Sequence, residues 1–288
     1  MVNQPKWARG SNQYVKRPGV SRPRRPESEA SLEPLRPSRP GQEQRRYEDT
    51  GLTWGSFEVD AIKPSSIERA RHRFRAHLPE LIWNTAALEG NNFTLPEIRT
   101  LLEGVTVGGK RMDDEQQIIA LSEAYNRLDE MVGSGQFSLK KEVSDELHEL
   151  VARHEALDAG RFRGEGQATG GGTVRLANGG VVEGTPHGEG GILLREHFDS
   201  LIEYLAGVDD HRQRALVYFA SATRRQFYFD GNKRTARLMM TGELMSSGYD
   251  IISVPYSRRL EFNEALDKLF ADDDATVLLN FLSTCTLM

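Results

Sequence analysis

The four-residue turn from Asp230 to Lys233 constrains this chain most, because it joins two stretches with helical apolar spacing, residues 211–224 and 234–247. Gly248 is placed to end the second helix. A tight turn that opens a helix exposes backbone N–H groups at the positive end of the helix dipole, which suits phosphate. Taken alone, the turn is more typical of a plain corner between helices, since Asp-Gly-Asn turns are common.

Charged side chains around the turn favour an anion site over a plain corner. Arg234 and Arg237 are three residues apart, so both lie on one side of the first helical turn and can reach a bound anion. Asp230 can hold a divalent cation that bridges phosphates. The turn and the charged residues around it therefore contain the groups that a phosphate site needs. Whether they form one depends on the motifs elsewhere in the chain.

Composition predicts an ordinary folded protein without a membrane span. The chain has 288 residues, of which 38% are hydrophobic and 27% charged, enough for one large or two small domains. No apolar run reaches the roughly 18 residues of a transmembrane helix, and residues 1–10 lack the apolar region of a signal peptide. The single cysteine, Cys285, excludes an internal disulfide, so we expect a cytoplasmic protein.

Residues 1–52 differ from the rest of the chain. The first 50 residues hold seven of the twelve prolines and a net charge of +5, which leaves −10 for the remainder. Few large apolar residues interrupt this segment, so we expect a disordered or extended tail. Its basic residues are scattered among acids, which makes a flexible leader a better interpretation than a nucleic-acid-binding arm.

A first group of helices is expected between residues 53 and 110. Ser65 and Ser66 are N-cap candidates for a helix that Pro79 divides in two. Gly90 is placed to end the second part, which leaves Glu89 at a helix C-terminus, where a carboxylate needs a cationic partner. Residues 94–97 form a capping box for a short helix that runs to residue 102.

Residues 111–288 are predicted to be helical with one β-hairpin. The turn of Asn178 and Gly179 between two short β-type pieces, residues 173–176 and 181–182, predicts the hairpin. His148 and His154 are six residues apart and do not share a helix face, so neither is predicted to bind a metal. The chain is therefore expected to be all-α, with about nine helices. Besides the two around the turn, the helices predicted here span residues 113–131, 138–157, 192–205, 260–270 and 275–287.

Two motifs in this chain resemble those of the Fic (Fido) family, whose signature reads His-x-Phe-x-(Asp/Glu)-Gly-Asn-(Gly/Lys)-Arg-x-x-Arg. The matching positions run from Asp230 to Arg237. Separately, Thr85-x-x-x-Glu89-Gly90 resembles the inhibitory motif of the family, (Ser/Thr)-x-x-x-Glu-(Gly/Asn). Because this motif precedes the signature, the arrangement is similar to that of the self-inhibited class. The resemblance covers roughly residues 55–285.

The resemblance implies transfer of AMP from ATP to a hydroxyl side chain of a target protein, which docks on the hairpin. It assigns Mg²⁺ to Asp230, the cradling of phosphates to the backbone around Gly231 and Asn232, and the γ-phosphate to Arg237. It also implies that Glu89 pairs with Arg237 and holds the nucleotide in an unproductive pose. The remaining phosphate-site candidates are Lys233 and Arg234.

The chain departs from the signature at two positions, Gln226 and Tyr228, and has the less permissive of the two allowed residues at Lys233. Gln226 stands where the family has the histidine that accepts the proton of the attacking hydroxyl, and an amide cannot accept a proton near neutral pH. Tyr228 replaces the phenylalanine, and its hydroxyl needs a partner. Lys233 places a flexible cation at a position where glycine would let the backbone approach a ligand closely. His187, after the hairpin, is the one histidine in a stretch expected to face the site.

Three functions remain open from the sequence. The first is a slow adenylyltransferase with an altered base, and the second is an inactive regulatory protein that still binds nucleotide. The third, binding of nucleic acid through the basic tail, is the least favoured. The sequence does not identify the target protein, and it leaves a homodimer open.

Overall fold

The computed structural model describes residues 40–176 and 179–287 and contains eleven α-helices and one two-stranded sheet in that part of the chain. The helices and strands, in chain order, are α1 Pro40–Thr50, α2 Ile67–Ala76, α3 Leu78–Leu88, α4 Leu95–Leu102, α5 Met112–Gly133, α6 Lys141–Ala152, β1 Thr173–Arg175, β2 Val181–Glu183, α7 Ile192–Ala206, α8 His211–Arg225, α9 Asn232–Ser246, α10 Arg259–Asp272 and α11 Thr276–Ser283. The fold is therefore mostly helical, as the sequence predicts, although with more helices than the nine expected.

Helices α8 and α9 form the centre of the fold, because both are buried on nearly all sides. Helix α8 begins at Asp210, whose carboxylate accepts a hydrogen bond from the backbone N–H of Arg212 at 2.8 Å. It ends at Gln226, which has a left-handed backbone with φ of 54°. Helix α9 starts directly after Gly231, two residues before the predicted start, and the predicted turn thus becomes the link between the two core helices.

The expected caps of the N-terminal helices are present. The hydroxyl of Ser66 accepts a hydrogen bond from the backbone N–H of Arg69 at 3.3 Å and caps α2. Pro79 lies in the first turn of α3, where its missing N–H has no cost. At the start of α4 the backbone N–H of Thr94 donates to Glu97, which completes the capping box. Helices α3 and α4 pack against α5.

The predicted tail is wrong for residues 40–50, which form α1. This helix packs against α7, and the backbone carbonyl of Thr50 accepts a hydrogen bond from Ser221 at 2.5 Å. The hydroxyl of Tyr47 donates to Asp273 at 3.0 Å. These tertiary contacts stabilise a segment whose composition alone predicts disorder. Leu52, also within the predicted tail, is fully buried, and residues 1–39 of that tail lie outside the described residues.

Helix α6 is shorter than predicted, because it begins at Lys141 rather than after Ser138 and ends at Ala152 rather than at residue 157. Ser138 does not cap it, since the N-cap residue is Lys140. Beyond Ala152 the chain turns back, and the backbone N–H of Gly160 donates to the Nδ1 atom of His148 at 2.9 Å. Helix α11 also stops early, at Ser283.

The predicted hairpin is present as an antiparallel pair, with Thr173 opposite Glu183 and Arg175 opposite Val181. The residues of its expected turn at 177 and 178 lie outside the described part of the chain. No helix in the described ranges combines the length and the apolar character needed to cross a membrane. Cys285 is buried and free.

Candidate functional site

The link between α8 and α9 is held in one shape by the side chain of Asn232. Its amide nitrogen donates to the carbonyl of Tyr228 at 2.8 Å and to Oε1 of Gln226 at 3.1 Å. Its amide oxygen accepts a hydrogen bond from the backbone N–H of Tyr228 at 2.8 Å. At Gly231, φ is 74°, and a Cβ atom would lie 2.9 Å from the Cβ of Ala152, so this position requires glycine.

His148 on α6 also holds the link between α8 and α9, through a hydrogen bond to its backbone. Its Nδ1 atom accepts the N–H of Gly160, so the proton resides on Nε2, which donates to the backbone carbonyl of Asp230 at 2.8 Å. The imidazole stacks on the ring of Tyr228, with 3.8 Å between ring centroids. Burial lowers the pKa of His148 to about 4, and the nearby charge of Arg234 acts in the same direction. His148 is therefore a neutral support for the loop, a role that its spacing in the sequence did not indicate.

Tyr228 has the hydroxyl partners that the sequence analysis required. Its hydroxyl lies 2.7 Å from the hydroxyl of Ser144 and donates to the carboxylate of Asp145 at 2.9 Å. Burial raises the pKa of Tyr228 well above 10, and the negative charge of Asp145 raises it further. The change from phenylalanine to tyrosine is thus accommodated by polar groups of α6.

A cavity of about 520 Å³ lies over the link, between β1, the end of α3 and one side of α10. Its floor is polar and comes from the residues between α8 and α9. Its walls include apolar side chains of α10 and β1, so the cavity suits a ligand with a charged end and an apolar end. The lining residues are Leu88, Glu89, Thr173, Val174, Arg175, Leu176, Gln226, Phe229, Asp230, Gly231, Asn232, Lys233, Arg234, Asn263, Leu266, Asp267 and Phe270.

The two arginines predicted to bind phosphate have different surroundings. The side chain of Arg234 is 4% exposed and forms a two-pronged ion pair with Glu155, at 2.9 and 2.6 Å. The Arg237 residue is 3% exposed, and none of its three side-chain nitrogens has a hydrogen-bond partner. Arg234 is therefore already neutralised by a carboxylate, whereas Arg237 is a buried cation that lacks one.

Glu89 pairs with Lys233 rather than with Arg237. Its Oε2 atom is 2.9 Å from the Lys233 ammonium, and its buried Oε1 atom has no hydrogen-bond partner. Burial raises the pKa of Glu89, but the charges of Lys233, Arg237 and Arg234 outweigh burial, and the net effect lowers the pKa. The predicted pair with Arg237 is thus not formed, because the lysine of the turn reaches the carboxylate instead.

Thr85 and Gly90, the other two residues of the motif that contains Glu89, shape the end of α3. The hydroxyl of Thr85 is buried and lies 2.8 Å from the hydroxyl of Tyr125 on α5. Gly90 has a φ of 89°, which allows the chain to leave the helix directly after Glu89. These contacts hold Glu89 at the edge of the cavity.

Asp230 carries the one carboxylate of the loop, and 60% of its side chain is exposed. Its Oδ1 atom accepts the backbone N–H of Gly231 and lies 3.7 Å from a guanidinium nitrogen of Arg234. Within the described ranges no three or more His, Cys, Asp or Glu side chains gather as a metal site would require. A cation at this position would therefore need most of its ligands from a bound substrate and from water.

No histidine lines the cavity, although all seven lie in the described part of the chain. His187 packs instead against Gly164 and contacts the carbonyl of Gly188. Gln226 does line the cavity, but its amide is engaged at both ends, because Nε2 donates to the Thr223 carbonyl at 2.6 Å and Oε1 accepts from Asn232. The cavity is therefore lined by Lys233, Arg234 and the start of α9, but by no histidine.

The sequence is similar to curated proteins named protein adenylyltransferase Fic. The protein from Drosophila ananassae is 29% identical over 234 residues, which are 79% of this chain and 44% of that protein. The protein from Drosophila erecta is 28% identical over 250 residues, 85% of this chain and 47% of that protein. The chain thus spans less than half the length of these relatives. No family model matches the chain.

Solved structures of Fic proteins share the fold. Fic-1 from C. elegans, residues 134–508, has a TM-score of 0.60 at 19% identity and is matched over 76% of this chain and 67% of its own. A Fic domain containing signaling protein from Bacteroides thetaiotaomicron has a TM-score of 0.60 at 20% identity, with 84% of this chain and 91% of that chain covered.

Proposed function

We propose, from the premise that the chain has the Fic fold and is similar in sequence to Fic protein adenylyltransferases, that it transfers AMP from ATP to a hydroxyl side chain of a target protein. The nucleotide would occupy the cavity with its phosphates at the start of α9. Gln226 would make this transfer slow, and Glu89 would restrain it. The proposal includes a cytoplasmic location, which rests on cysteine content alone.

The observation that carries the proposal is the unpaired guanidinium of Arg237. A buried cation without hydrogen bonds is costly, and a bound anion would supply the missing partner. The start of α9 adds the backbone N–H groups that follow Gly231, at the positive end of the helix dipole. Lys233 brings a further positive charge to the cavity. Together these groups favour a ligand with several phosphates.

The residues present fit a magnesium ion that arrives with the nucleotide. Mg²⁺ is commonly held by one or two carboxylates, by substrate phosphates and by water, and Asp230 offers one exposed carboxylate at the cavity floor. When bound, the ion would neutralise charge on the phosphates that leave. Asp230 would hold it at the entrance of the phosphate site, whereas Arg234, paired with Glu155, would fix the helix that carries the site.

Glu89 would restrain the reaction through its charge and its position. It lines the cavity, whereas Arg237 does not, and its carboxylate neutralises Lys233. Phosphates that approach Arg237 would meet this negative charge first. Movement of Glu89 away from Lys233 would free the lysine and remove the negative charge from the approach to Arg237, so that the full phosphate site forms only after the ion pair opens.

A second candidate function is nucleotide binding without catalysis, as in a regulatory protein. It is favoured by Gln226, whose amide is hydrogen-bonded inside the loop and cannot take a proton from a substrate. Removal of a general base typically lowers a rate by about 10²- to 10⁴-fold. Both candidates share the same binding site and differ only in turnover.

The target protein would dock on the hairpin of β1 and β2, which borders the cavity. Its identity and a homodimer of this chain remain open parts of the proposal. A role for the basic residues 1–39 in nucleic-acid binding is the least favoured alternative.

Titration calorimetry with ATP and Mg²⁺ tests the shared binding site. We expect weak binding by the unmodified chain, tighter binding by Glu89→Gly, and at least a tenfold loss when Arg237→Met is added to Glu89→Gly, since a buried charge-assisted contact is worth more than 1.4 kcal/mol. Arg69→Met is the matched control, because Arg69 is exposed on α2 and does not line the cavity. Absence of binding by both the unmodified chain and Glu89→Gly would refute the nucleotide site.

A further inference from the structure

A second cavity, of about 750 Å³, lies where α1, the end of β2 and the C-terminal end of α8 meet. Among the described residues, none lines both this cavity and the candidate nucleotide cavity. Its volume is in the range of small-molecule sites. We propose that this second cavity binds a phosphate group, free or as part of a small organic ester, and that Arg225 holds the phosphate. The site does not depend on the proposed function.

The guanidinium of Arg225 lacks an anionic partner. Its Nε atom is buried and has no hydrogen-bond partner in the described part of the chain, and one terminal nitrogen donates to the backbone carbonyl of Glu48 at 3.3 Å. Burial lowers the pKa of Arg225, because it removes water from the charged form. A bound anion would compensate this loss, and a planar guanidinium can donate two parallel hydrogen bonds to phosphate oxygens.

Arg224, the preceding residue, is by contrast already paired. Its Nε atom donates to Oδ1 of Asp273 at 2.5 Å, and the hydroxyl of Tyr47 donates to Oδ2 of the same carboxylate at 3.0 Å. Asp273 also lines the cavity, so its negative charge is balanced in place. Of the two neighbouring arginines, Arg225 is therefore the one whose charge remains for a ligand.

The two glutamates that line the cavity are engaged by other groups. Oε2 of Glu183 accepts the hydroxyl of Thr173 at 3.0 Å, and Oε1 of Glu48 accepts the amide of Gln44 at 2.8 Å. Both glutamates are exposed, so water and salt screen their repulsion of a bound anion. The buried part of the guanidinium is screened less, and its attraction for the anion is correspondingly stronger.

Groups from three parts of the fold favour phosphate over carboxylate. His197 on α7 and Thr185 after β2 line the cavity together with Arg225. Burial lowers the pKa of His197, and the charge of Arg225 lowers it further, so the imidazole lies within range of the guanidinium. A planar carboxylate can be satisfied by the guanidinium alone, whereas a tetrahedral phosphate also offers oxygens to the other two side chains. Tyr47 and Pro186 add apolar surface for an organic part of the ligand.

The proposed site borders the junction of the hairpin and the loop. The backbone carbonyl of Arg225 accepts the N–H of Thr185 at 3.2 Å, which joins the end of α8 to the segment after β2. The next residue, Gln226, lines the nucleotide cavity. A phosphate on Arg225 would thus contact α8 where it enters the loop, without occupying the nucleotide cavity.

NMR of the histidine ring protons in the full chain tests the site. His197 lines this cavity, whereas none of the seven histidines, all within the described ranges, lines the nucleotide cavity. Inorganic phosphate, titrated at pH 7 against chloride of equal ionic strength, should move the His197 signal along a saturating curve. Arg225→Met should weaken this binding at least tenfold. Arg45→Met is the matched control, because Arg45 is exposed on α1 and does not line the cavity, and should change the affinity by less than about twofold.

A second variant keeps the test decisive where Arg225→Met does not fold. Arg225→Lys keeps the charge but loses the two parallel donors, and should weaken phosphate binding by about threefold or more. Arg237→Met, in the nucleotide site, should leave the His197 response unchanged. A His197 signal that does not saturate, or that saturates at the same phosphate concentration in Arg225→Lys and the unmodified chain, would overturn the proposal.

A His197 response that is lost with Arg237→Met would also overturn it, because phosphate would then act through the nucleotide cavity. The two sites are thus judged separately, one by the effect of Arg237→Met on ATP binding and the other by the effect of Arg225→Met on the His197 signal. Failure of either leaves the other in place.

Two further probes identify the class of ligand. Acetate should bind at least tenfold more weakly than phosphate, because it leaves His197 and Thr185 without an oxygen. Equal affinities for acetate and phosphate would overturn the assignment to phosphate. Phenyl phosphate distinguishes the two sources of the group: tighter binding than inorganic phosphate, through Tyr47 and Pro186, would support an ester, and equal binding would support free phosphate.

Discussion

The carboxylate of Glu89 lies 2.9 Å from the ammonium group of Lys233 and joins the end of α3 to the first turn of α9. Lys233 occupies a position where the signature of the family allows glycine or lysine, and it takes the partner that the motif assigns to an arginine. Arg237 is consequently left without a hydrogen-bond partner. The lysine at this position thus decides which cation is neutralised and which is left without a hydrogen-bond partner.

A double-mutant cycle should show that Glu89 is coupled to Lys233. We expect a coupling free energy of about 1–2 kcal/mol for Glu89→Gln with Lys233→Met, from urea unfolding of the four proteins. This value lies between those of exposed and buried pairs because the Lys233 side chain is 34% exposed. The matched cycle of Glu89→Gln with Arg237→Met should give a smaller coupling free energy than the cycle with Lys233→Met. A larger coupling with Arg237 would contradict the observed pairing.

Restoring the missing base should raise turnover if the chain is a transferase. In the Glu89→Gly background, Gln226→His should increase AMP label on lysate proteins by about 10²- to 10⁴-fold, because imidazole can accept the proton of the target hydroxyl. Gln226→Ala is the control, since it frees the loop without adding a base. Electrophoresis separates lysate proteins from the labelled chain itself. A complete lack of label without the histidine, with label after it is added, would favour the non-catalytic candidate.

The free energy of unfolding should decrease as the pH is lowered, because His148 becomes protonated more readily in the unfolded state. Its pKa is lowered to about 4 from 6.5, so the folded state binds fewer protons than the unfolded state between these values. The neutral ring stabilises the fold fully above pH 6.5, and this contribution of about 3 kcal/mol is lost as the pH falls through 4. Urea unfolding at pH 7 and pH 4.5 measures the loss.

The control for this pH effect is His148→Gln, which cannot gain a charge. It should be less stable than the unmodified chain at pH 7, because it loses the stack on Tyr228. The difference between the two proteins should shrink at pH 4.5. If the difference in free energy of unfolding between the two proteins is the same at pH 7 and pH 4.5, the pKa of His148 is not lowered in the folded state.

Removing the Tyr228 hydroxyl should destabilise the fold. We expect Tyr228→Phe to cost about 1–3 kcal/mol in free energy of unfolding, because Asp145 and Ser144 lose a buried partner. Tyr47→Phe is the matched control, since that hydroxyl also donates to an aspartate but in an exposed pair, and should change the free energy by less than about 0.5 kcal/mol. Equal effects of the two substitutions would contradict the role of burial.

Local signals in the sequence predicted the helices and the shape of the loop. The caps at Ser66 and Thr94, the position of Pro79 and the hairpin partners all involve residues close together in the chain, and all are present in the structure. Helix α1 was missed because its stability comes from contacts with α7 and α8, which composition does not reveal.

The sequence by itself determined that residues 230–237 form a turn and a helix start that carry cationic side chains, and that Gln226 cannot serve as a base. Only the tertiary structure decided which charges meet. It pairs Glu89 with Lys233 and Arg234 with Glu155, places His148 under the loop, and brings Thr173 to the cavity. Helical periodicity and caps depend on neighbouring residues, whereas these contacts depend on how distant elements pack, which no local pattern records.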